Sequence, residues 1–205
     1  MLKKVSLLSA LATVMFVPTF ANEAFLVNYF NDLATIQADF EQTVIQQKNK
    51  EISSGELKIR KKTAKNSIAG FYFDYTMPFE QKLISDGKKL WHYDVDLEQV
   101  VIKNLANFEQ DSPMFMIFNN QSLNTQFEIK TLKNESKYRL TPKKKGDISS
   151  IEIEFNKGNI SKVSAKQTNG SLDLKLSNVK MNANINNSVF TLKVPKGVDV
   201  IDETK

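Results

Sequence analysis

The sequence contains no cysteine and only one histidine, His92. The missing cysteine excludes disulfide bonds, thiolate catalysis, Cys-ligated zinc and iron–sulfur clusters. Glycine and proline are also few, with 7 and 5 residues among 205, which excludes a collagen-like or low-complexity chain. Hydrophobic residues make up 41% and charged residues 25%, so the chain can bury one well-filled core.

The residues that usually perform catalysis or hold metals form no cluster in the sequence. His92 lies on the polar side of a predicted strand, and we interpret it as an exposed strand histidine. A Ser-His-Asp triad would need His92, but no Gly-x-Ser-x-Gly motif is present. The nearby Asp94 and Asp96 lack the spacing of a calcium loop. The sequence therefore predicts no catalytic residue, no metal site and no cofactor.

The first 21 residues have the pattern of a secretory signal peptide. Lys3 and Lys4 precede an uncharged apolar run over residues 5–18, and Ala21 offers a cleavage position. The run has about 14 residues, fewer than the roughly 20 of a membrane span, which favours cleavage over an uncleaved anchor. We therefore expect residues 22–205 to form one exported domain. Loss of the two lysines lowers the net charge from +5 to +3, too little to indicate nucleic acid.

The residues after the signal peptide predict an amphipathic helix from Asn22 to about Gln47. Asn22 and Glu23 suit the start of a helix. Apolar residues then recur at steps of three and four, which places them on one helix face that needs an apolar surface to cover. These residues are Leu26, Tyr29, Phe30, Leu33, Ile36, Phe40 and Val44.

After Asn49 the hydrophobic period changes to two, which predicts strands. Phe71 and Phe73, for example, alternate with Tyr72 and Asp74. Turns rich in Gly and Asn separate the alternating series at hairpin spacing, so we expect roughly ten strands connected as a meander.

One segment interrupts the strands and predicts a short helix. Ser112 and Pro113 suit a helix start, and residues 114–118 are Met-Phe-Met-Ile-Phe. Methionine and phenylalanine form an adaptable lining for ligands of varied shape, but spacing alone does not distinguish that role from ordinary core packing.

The balance of strands and helices predicts a curved sheet. About ten strands have more apolar surface than two helical segments can cover on a flat sheet. We therefore expect a mainly β fold, an incomplete and strongly curved antiparallel β-barrel that wraps around the N-terminal helix and the short second helix. An interior that side chains leave unfilled would bind an apolar molecule.

Several motifs, in the same order along the chain, resemble the LolA family of periplasmic carriers of outer-membrane lipoproteins. The most specific is Ser-Asp-Gly-Lys-x-Leu-Trp-x-Tyr at residues 85–93. The others are Phe-Glu-Gln at 40–42, Ser-Pro at 112–113, Leu-Thr-Pro at 140–142 and the stretch 190–200. Together they span essentially residues 22–202.

The resemblance implies an open barrel of about eleven strands with short lid helices. It implies a non-enzymatic, monomeric carrier in the periplasm of a Gram-negative bacterium, with acylated lipoproteins as cargo and no nucleic-acid partner. An inner-membrane ABC transporter would supply the lipoproteins, and an outer-membrane receptor lipoprotein would accept them. Physical chemistry agrees, because each acyl methylene exposed to water costs about 0.8 kcal/mol.

Alternation and resemblance together predict the residues of the cargo site. The family usually has Arg-Pro before the aromatic strand, and its arginine hydrogen-bonds the lid. Here that place holds Arg60 and Lys61, which are both candidates for the latch, although lysine lacks the planar guanidinium. The residues expected at the acyl-chain cavity or its lid are Phe40, Phe71, Phe73, Trp91, Met114, Phe115, Ile117 and Phe118.

Two other functions are compatible with the sequence. A periplasmic regulator that senses lipid or stress can have the same half-barrel, but such proteins usually carry a second domain, for which this chain is too short. An exported hydrolase would depend on His92 and would lose its activity on His92→Ala. A receptor lipoprotein of similar shape would need an N-terminal cysteine for acylation, and the sequence has none.

Overall fold

The computed structural model describes residues 20–62, 69–107, 113, 118, 121–133 and 135–204, with side chains from residue 23. Its helical elements are α1 (Phe20–Asp32), the 3-10 helix η1 (Leu105–Asn107), α2 (Leu123–Gln126) and the 3-10 helix η2 (Asn187–Phe190). Its strands are β1 (Thr35–Gln46), β2 (Asn49–Arg60), β3 (Gly70–Met77), β4 (Gln81–Ser85), β5 (Lys89–Asp94), β6 (Gln99–Asn104), β7 (Phe127–Lys133), β8 (Lys137–Pro142), β9 (Ile148–Asn156), β10 (Asn159–Gln167), β11 (Gly170–Met181) and β12 (Asp199–Asp202). Among these residues, no helix has the length and apolar content required to span a bilayer.

All strands of the described residues belong to one sheet, in the order β12-β6-β5-β4-β3-β2-β1-β11-β10-β9-β8-β7. Two antiparallel meanders, β1–β6 and β7–β11, join where β1 pairs with β11. The last strand, β12, pairs in parallel with β6. The sheet thus ends in two edges, β12 and β7, and does not close. The predicted mainly β, incomplete barrel is confirmed, with twelve strands where about eleven were expected.

The sheet curls around a single apolar cluster, which defines its inner face. A flat sheet of this many strands would be roughly 50 Å wide at the usual strand spacing. The cluster nevertheless contains buried residues from β1–β3 together with residues from β7–β11, and Leu26 and Phe30 of α1 and Leu33, just after it, complete the cluster. The helix therefore occupies the hollow of the sheet, where its apolar face is removed from water.

The prediction of one helix over residues 22–47 is wrong for its second half, because α1 ends at Asp32 and β1 follows. Ile36, Phe40 and Val44 are four residues apart. A step of four returns to the same side of a strand as well as of a helix, so the pattern fitted both. The sheet decides between them, because β1 pairs with both β2 and β11.

The outer face of the sheet carries a second, smaller apolar cluster. Ile84, Trp91 and Val100 are buried there, and Leu192 and Val198 of the C-terminal segment pack against them. The strands from β4 to β6 are therefore covered on both faces. In this region apolar alternation does not reveal which side of a strand faces the interior.

Candidate functional site

Four aromatic side chains form a continuous group on the inner face, which we name the inner aromatic band: Phe40 on β1 and Phe71, Phe73 and Tyr75 on β3. Ring centroids of Phe40 and Tyr75 are 5.1 Å apart, those of Phe40 and Phe73 are 5.7 Å apart, and those of Phe71 and Phe73 are 6.0 Å apart. All three pairs meet edge to face, which is a favoured geometry. The band is an apolar surface with little directional preference.

Gly55 on β2 allows the two halves of the band to meet. It pairs with Phe40 on one side and with Tyr75 on the other, so it lies between the two rings in the sheet. With no side chain at this position, the rings approach each other across β2. A Cβ atom on Gly55 would lie 1.8 Å from the backbone oxygen of Asp74, so the site requires glycine. Sequence reasoning singled out neither Gly55 nor Tyr75, although Tyr75 belongs to an alternating series.

The eight predicted cavity and lid residues have different outcomes. Phe40, Phe71 and Phe73 lie together in the band, and the Phe118 ring lies 5.6 Å from that of Phe30 on α1. Met114, Phe115 and Ile117 lie outside the described residues.

Trp91 and His92 have the opposite orientation to the predicted one. Leu83 and Leu90 pack on the inner cluster, and His92 pairs with Leu83 across the β4–β5 ladder. His92 therefore faces the interior, and its neighbour Trp91 points outward to the cluster with Ile84. The prediction of Trp91 as a cavity residue is wrong, as is the interpretation of His92 as lying on the outer, polar side. Because both faces are apolar here, alternation could not tell them apart.

Aromatic residues of α1 pack the helix against the half of the sheet formed by β7–β11. The rings of Phe25 and Tyr29 meet Phe155 on β9 at centroid distances of 5.3 and 4.9 Å. The Tyr29 hydroxyl donates to Met181 Sδ and accepts from the Ile160 backbone N–H. Burial raises the pKa of Tyr29, so this hydroxyl remains a donor at neutral pH.

Lys61 connects the end of β2 to the end of α1. Its Nζ atom donates a hydrogen bond of 2.6 Å to the carbonyl oxygen of Phe30, and its backbone N–H donates to the Ala34 carbonyl at 2.9 Å. The side chain is only 8% exposed. Burial lowers the pKa of the Lys61 ammonium. The carbonyl it meets is one of those that a helix leaves without an internal partner.

Arg60 points to the other side of the sheet. Its guanidinium carbon lies 4.3 Å from the centre of the Phe190 ring, and Nη1 donates to Asn187 Oδ1. Both partners belong to η2 in the C-terminal segment. The two latch candidates therefore differ: Lys61 holds the helix inside the sheet, and Arg60 holds the C-terminal segment outside it.

Comparison with known sequences identifies relatives along most of the chain. Residues 31–193 match the family model described as outer membrane lipoprotein carrier protein LolA. An outer-membrane lipoprotein carrier protein from Francisella philomiragia is 34% identical over 187 residues, which are 88% of each chain. Another from Histophilus somni is 30% identical over 182 residues, covering 88% of this chain and 87% of the relative.

A solved structure shares the fold at much lower identity. An uncharacterized conserved protein from Thermus thermophilus superimposes with a TM-score of 0.55 at 13% identity, covering 88% of this chain and 99% of that one. The likeness concerns the fold alone.

Proposed function

Because the chain belongs to the LolA family of outer membrane lipoprotein carrier proteins, we propose that it carries the acyl chains of lipoproteins through the periplasm inside its curved sheet. The observation that supports this most is the inner aromatic band, which presents Phe40, Phe71 and Phe73 on the inner face beside α1. The alternative of a lipid-sensing regulator is not favoured, because the relatives matched along 88% of the chain are named as carriers.

The chemistry of the band suits temporary binding. A lipoprotein N-terminus with tens of methylenes would cost tens of kcal/mol in water, at about 0.8 kcal/mol for each methylene. Aromatic rings offset this cost through apolar contact area and need no fixed orientation of the chains. A carrier must also release its cargo, and contacts of this kind can be exchanged for those of a membrane or another apolar site one chain at a time.

The proposed lid consists of α1 together with the segment that contains Met114, Phe115 and Ile117. Phe118, which follows them in the chain and is described, has its ring 5.6 Å from that of Phe30 on α1. Lys61 would serve as the latch, because its ammonium holds the last turn of α1 to the sheet. Movement of α1 out of the sheet would break that bond and those of Tyr29, and would open the interior that contains the band.

The remaining parts of the proposal concern processing and partners. Residues 1–21 would be removed by signal peptidase, and residues 22–205 would act as a single, monomeric, non-enzymatic domain in the periplasm of a Gram-negative bacterium. An inner-membrane ABC transporter would load the carrier, and an outer-membrane receptor lipoprotein would unload it. The described helix α1 begins at Phe20, beside the expected cleavage position after Ala21.

A release assay tests the carrier function. Inner-membrane vesicles that contain a radiolabelled lipoprotein and its exporter are incubated with ATP and purified carrier, and soluble label is measured per folded molecule. Wild type is expected to release label and Phe73→Ser to release little, while Trp91→Ser, a matched buried aromatic on the outer face, retains release. No release by wild type, or equal loss in both variants, would contradict the proposal.

A further inference from the structure

Two polar side chains adjoin the inner aromatic band on the inner face of β4 and β5. Gln81 pairs with Tyr75 of the band across the β3–β4 ladder, and His92 pairs with Leu83. Leu83 packs on the inner cluster, and Gln81 is two residues away on the same strand, so both point inward. Gln81, His92 and Tyr75 are all half-buried. A polar side chain held partly out of water loses hydration unless it finds a hydrogen-bond partner.

The Gln81 amide is oriented by His92. The Nε2 atom of His92 lies 3.2 Å from Gln81 Oε1. Burial lowers the pKa of the imidazole, so the ring is neutral at pH 7 and donates through one nitrogen. When Nε2 carries the proton, it donates to Oε1, and the Gln81 NH₂ group turns to the other side. Within the described part of the chain, that NH₂ group has no hydrogen-bond partner.

The Tyr75 hydroxyl is a second donor at the same border. The neighbouring Gln42 side chain opposes the rise in the pKa of Tyr75, as a donor to the oxygen would, and among the described residues no group accepts the hydroxyl hydrogen. Burial raises the pKa of Tyr75 to about 12, so the group keeps its proton at any physiological pH. The Tyr75 ring belongs to the apolar band while its hydroxyl lies at the polar end. Two donors thus lie at the point where the apolar surface ends.

The cargo class of the proposed function has acceptors at the matching place. In a triacylated lipoprotein one acyl chain is an amide on the N-terminal cysteine and two are esters of the glyceryl group on its sulfur, so a carbonyl oxygen lies where every hydrocarbon tail begins. A carbonyl taken out of water without a donor costs about 1–3 kcal/mol. We propose that the Gln81 amide and the Tyr75 hydroxyl donate hydrogen bonds to these carbonyls, with His92 as the positioning residue for Gln81. This inference rests on the proposed function.

The proposal makes this border the part of the site that recognises an acylated cysteine rather than a bare hydrocarbon tail. The inner aromatic band would accept any apolar chain, because it lacks directional groups. Discrimination against a bare tail would come from the donors, which match a carbonyl oxygen and find no equally strong acceptor on an ether-linked chain. Loss of one donor should therefore affect binding of an ester-linked lipopeptide more than binding of its ether-linked analogue.

Calorimetric titration of the purified full chain tests the inference with two probes, a synthetic dipalmitoylglyceryl-cysteinyl peptide and the same peptide with both palmitoyl esters replaced by hexadecyl ethers. The Gln81→Leu variant is expected to lower the affinity for the ester lipopeptide about tenfold and to change the affinity for the ether analogue less than about twofold. The matched control is Gln37→Leu on the outer side of β1, which should change neither affinity. His92→Leu should lower the lipopeptide affinity in the same way as Gln81→Leu, but by a smaller factor. His92→Gln, which keeps an N–H donor, should restore the preference for the lipopeptide over the second probe.

Thermal unfolding of each variant separates loss of fold from loss of recognition. Unchanged lipopeptide affinity in a folded Gln81→Leu variant overturns the inference and leaves the carrier function standing. An equal loss for both probes also overturns it, because it would show a general defect of the site. If wild type binds neither probe, the proposed function itself fails, and the inference fails with it.

Discussion

The Nζ atom of Lys61 lies 2.6 Å from the carbonyl oxygen of Phe30, so one buried ammonium joins the last turn of α1 to the end of β2. Helix C-termini carry a partial negative charge on their unpaired carbonyls, and a cation there is stabilising. The bond lies at the end of the helix that covers the interior. It is therefore well placed to control how firmly α1 is held in the sheet.

Lys61→Met should loosen α1, because the Phe30 carbonyl loses its donor while remaining buried. We expect the free energy of unfolding to fall by about 1–3 kcal/mol and amide hydrogen exchange in α1 to accelerate. Lys62→Met is the matched control, since Lys62 is exposed and adjacent, and its effect should be below about 0.5 kcal/mol. Equal urea denaturation curves for the two variants would show that the Lys61 bond contributes nothing.

Gly55→Ala should disrupt the band without touching any aromatic residue. The new Cβ would lie 1.8 Å from the Asp74 backbone oxygen, which cannot retreat without breaking the β2–β3 ladder. We expect a loss of about 3 kcal/mol in urea denaturation together with reduced lipopeptide binding. Gly146→Ala serves as control, because no described residue other than its chain neighbours lies within 4 Å of its Cβ position. A fully stable Gly55→Ala protein would mean that β2 and β3 are farther apart than described.

Arg60→Lys should weaken attachment of the C-terminal segment. Lysine cannot stack a planar group on the Phe190 ring, and we expect a loss of about 1 kcal/mol. Hydrogen exchange over residues 187–190 should rise, while exchange in α1 stays unchanged, because Arg60 faces outward. Arg139→Lys, at an exposed ion pair with Glu152, is the control and should have little effect. Faster exchange in α1 on Arg60→Lys would instead assign the latch to Arg60.

Trp91 provides an intrinsic test of which face binds cargo, because it is the only tryptophan in the chain. It is buried in the outer cluster, so saturation with the lipopeptide should leave its emission maximum and acrylamide quenching unchanged. A Phe73→Trp reporter in a Trp91→Phe background should change its emission on binding, because acyl chains would replace its ring contacts with Phe40 and Phe71. A large response of Trp91 with no response at position 73 would place the cargo on the outer face.

The curved, mainly β architecture could be predicted from the sequence, because period-two alternation and the shortage of helices are both local and compositional signals. The family could also be predicted, from motifs such as the one at residues 85–93. The boundary between α1 and β1 could not, since Ile36, Phe40 and Val44 satisfy a helix and a strand equally. Pairing with β2 and β11, which are distant in sequence, resolves the ambiguity.

The inward-facing residues of the candidate site could be predicted only on strands whose other face is polar. On β3, Phe71 and Phe73 alternate with Tyr72 and Asp74, and the apolar series faces inward as expected. On β5 the C-terminal segment covers the outer face, so the more apolar series, with Trp91, lies outside. Because alternate residues of a strand point to opposite faces, the outward position of Trp91 places its neighbour His92 in the interior. No local pattern could reveal this, because it depends on residues about one hundred positions later in the chain.

Native mass spectrometry of the carrier isolated from periplasm tests the central claim most directly. Cells overproduce one outer-membrane lipoprotein, and the carrier is purified without detergent. The account predicts a one-to-one complex whose mass equals carrier plus triacylated lipoprotein, much reduced in Phe73→Ser and retained in Trp91→Ser. Wild-type carrier that is always free of lipoprotein and lipid, although correctly folded, would contradict the account.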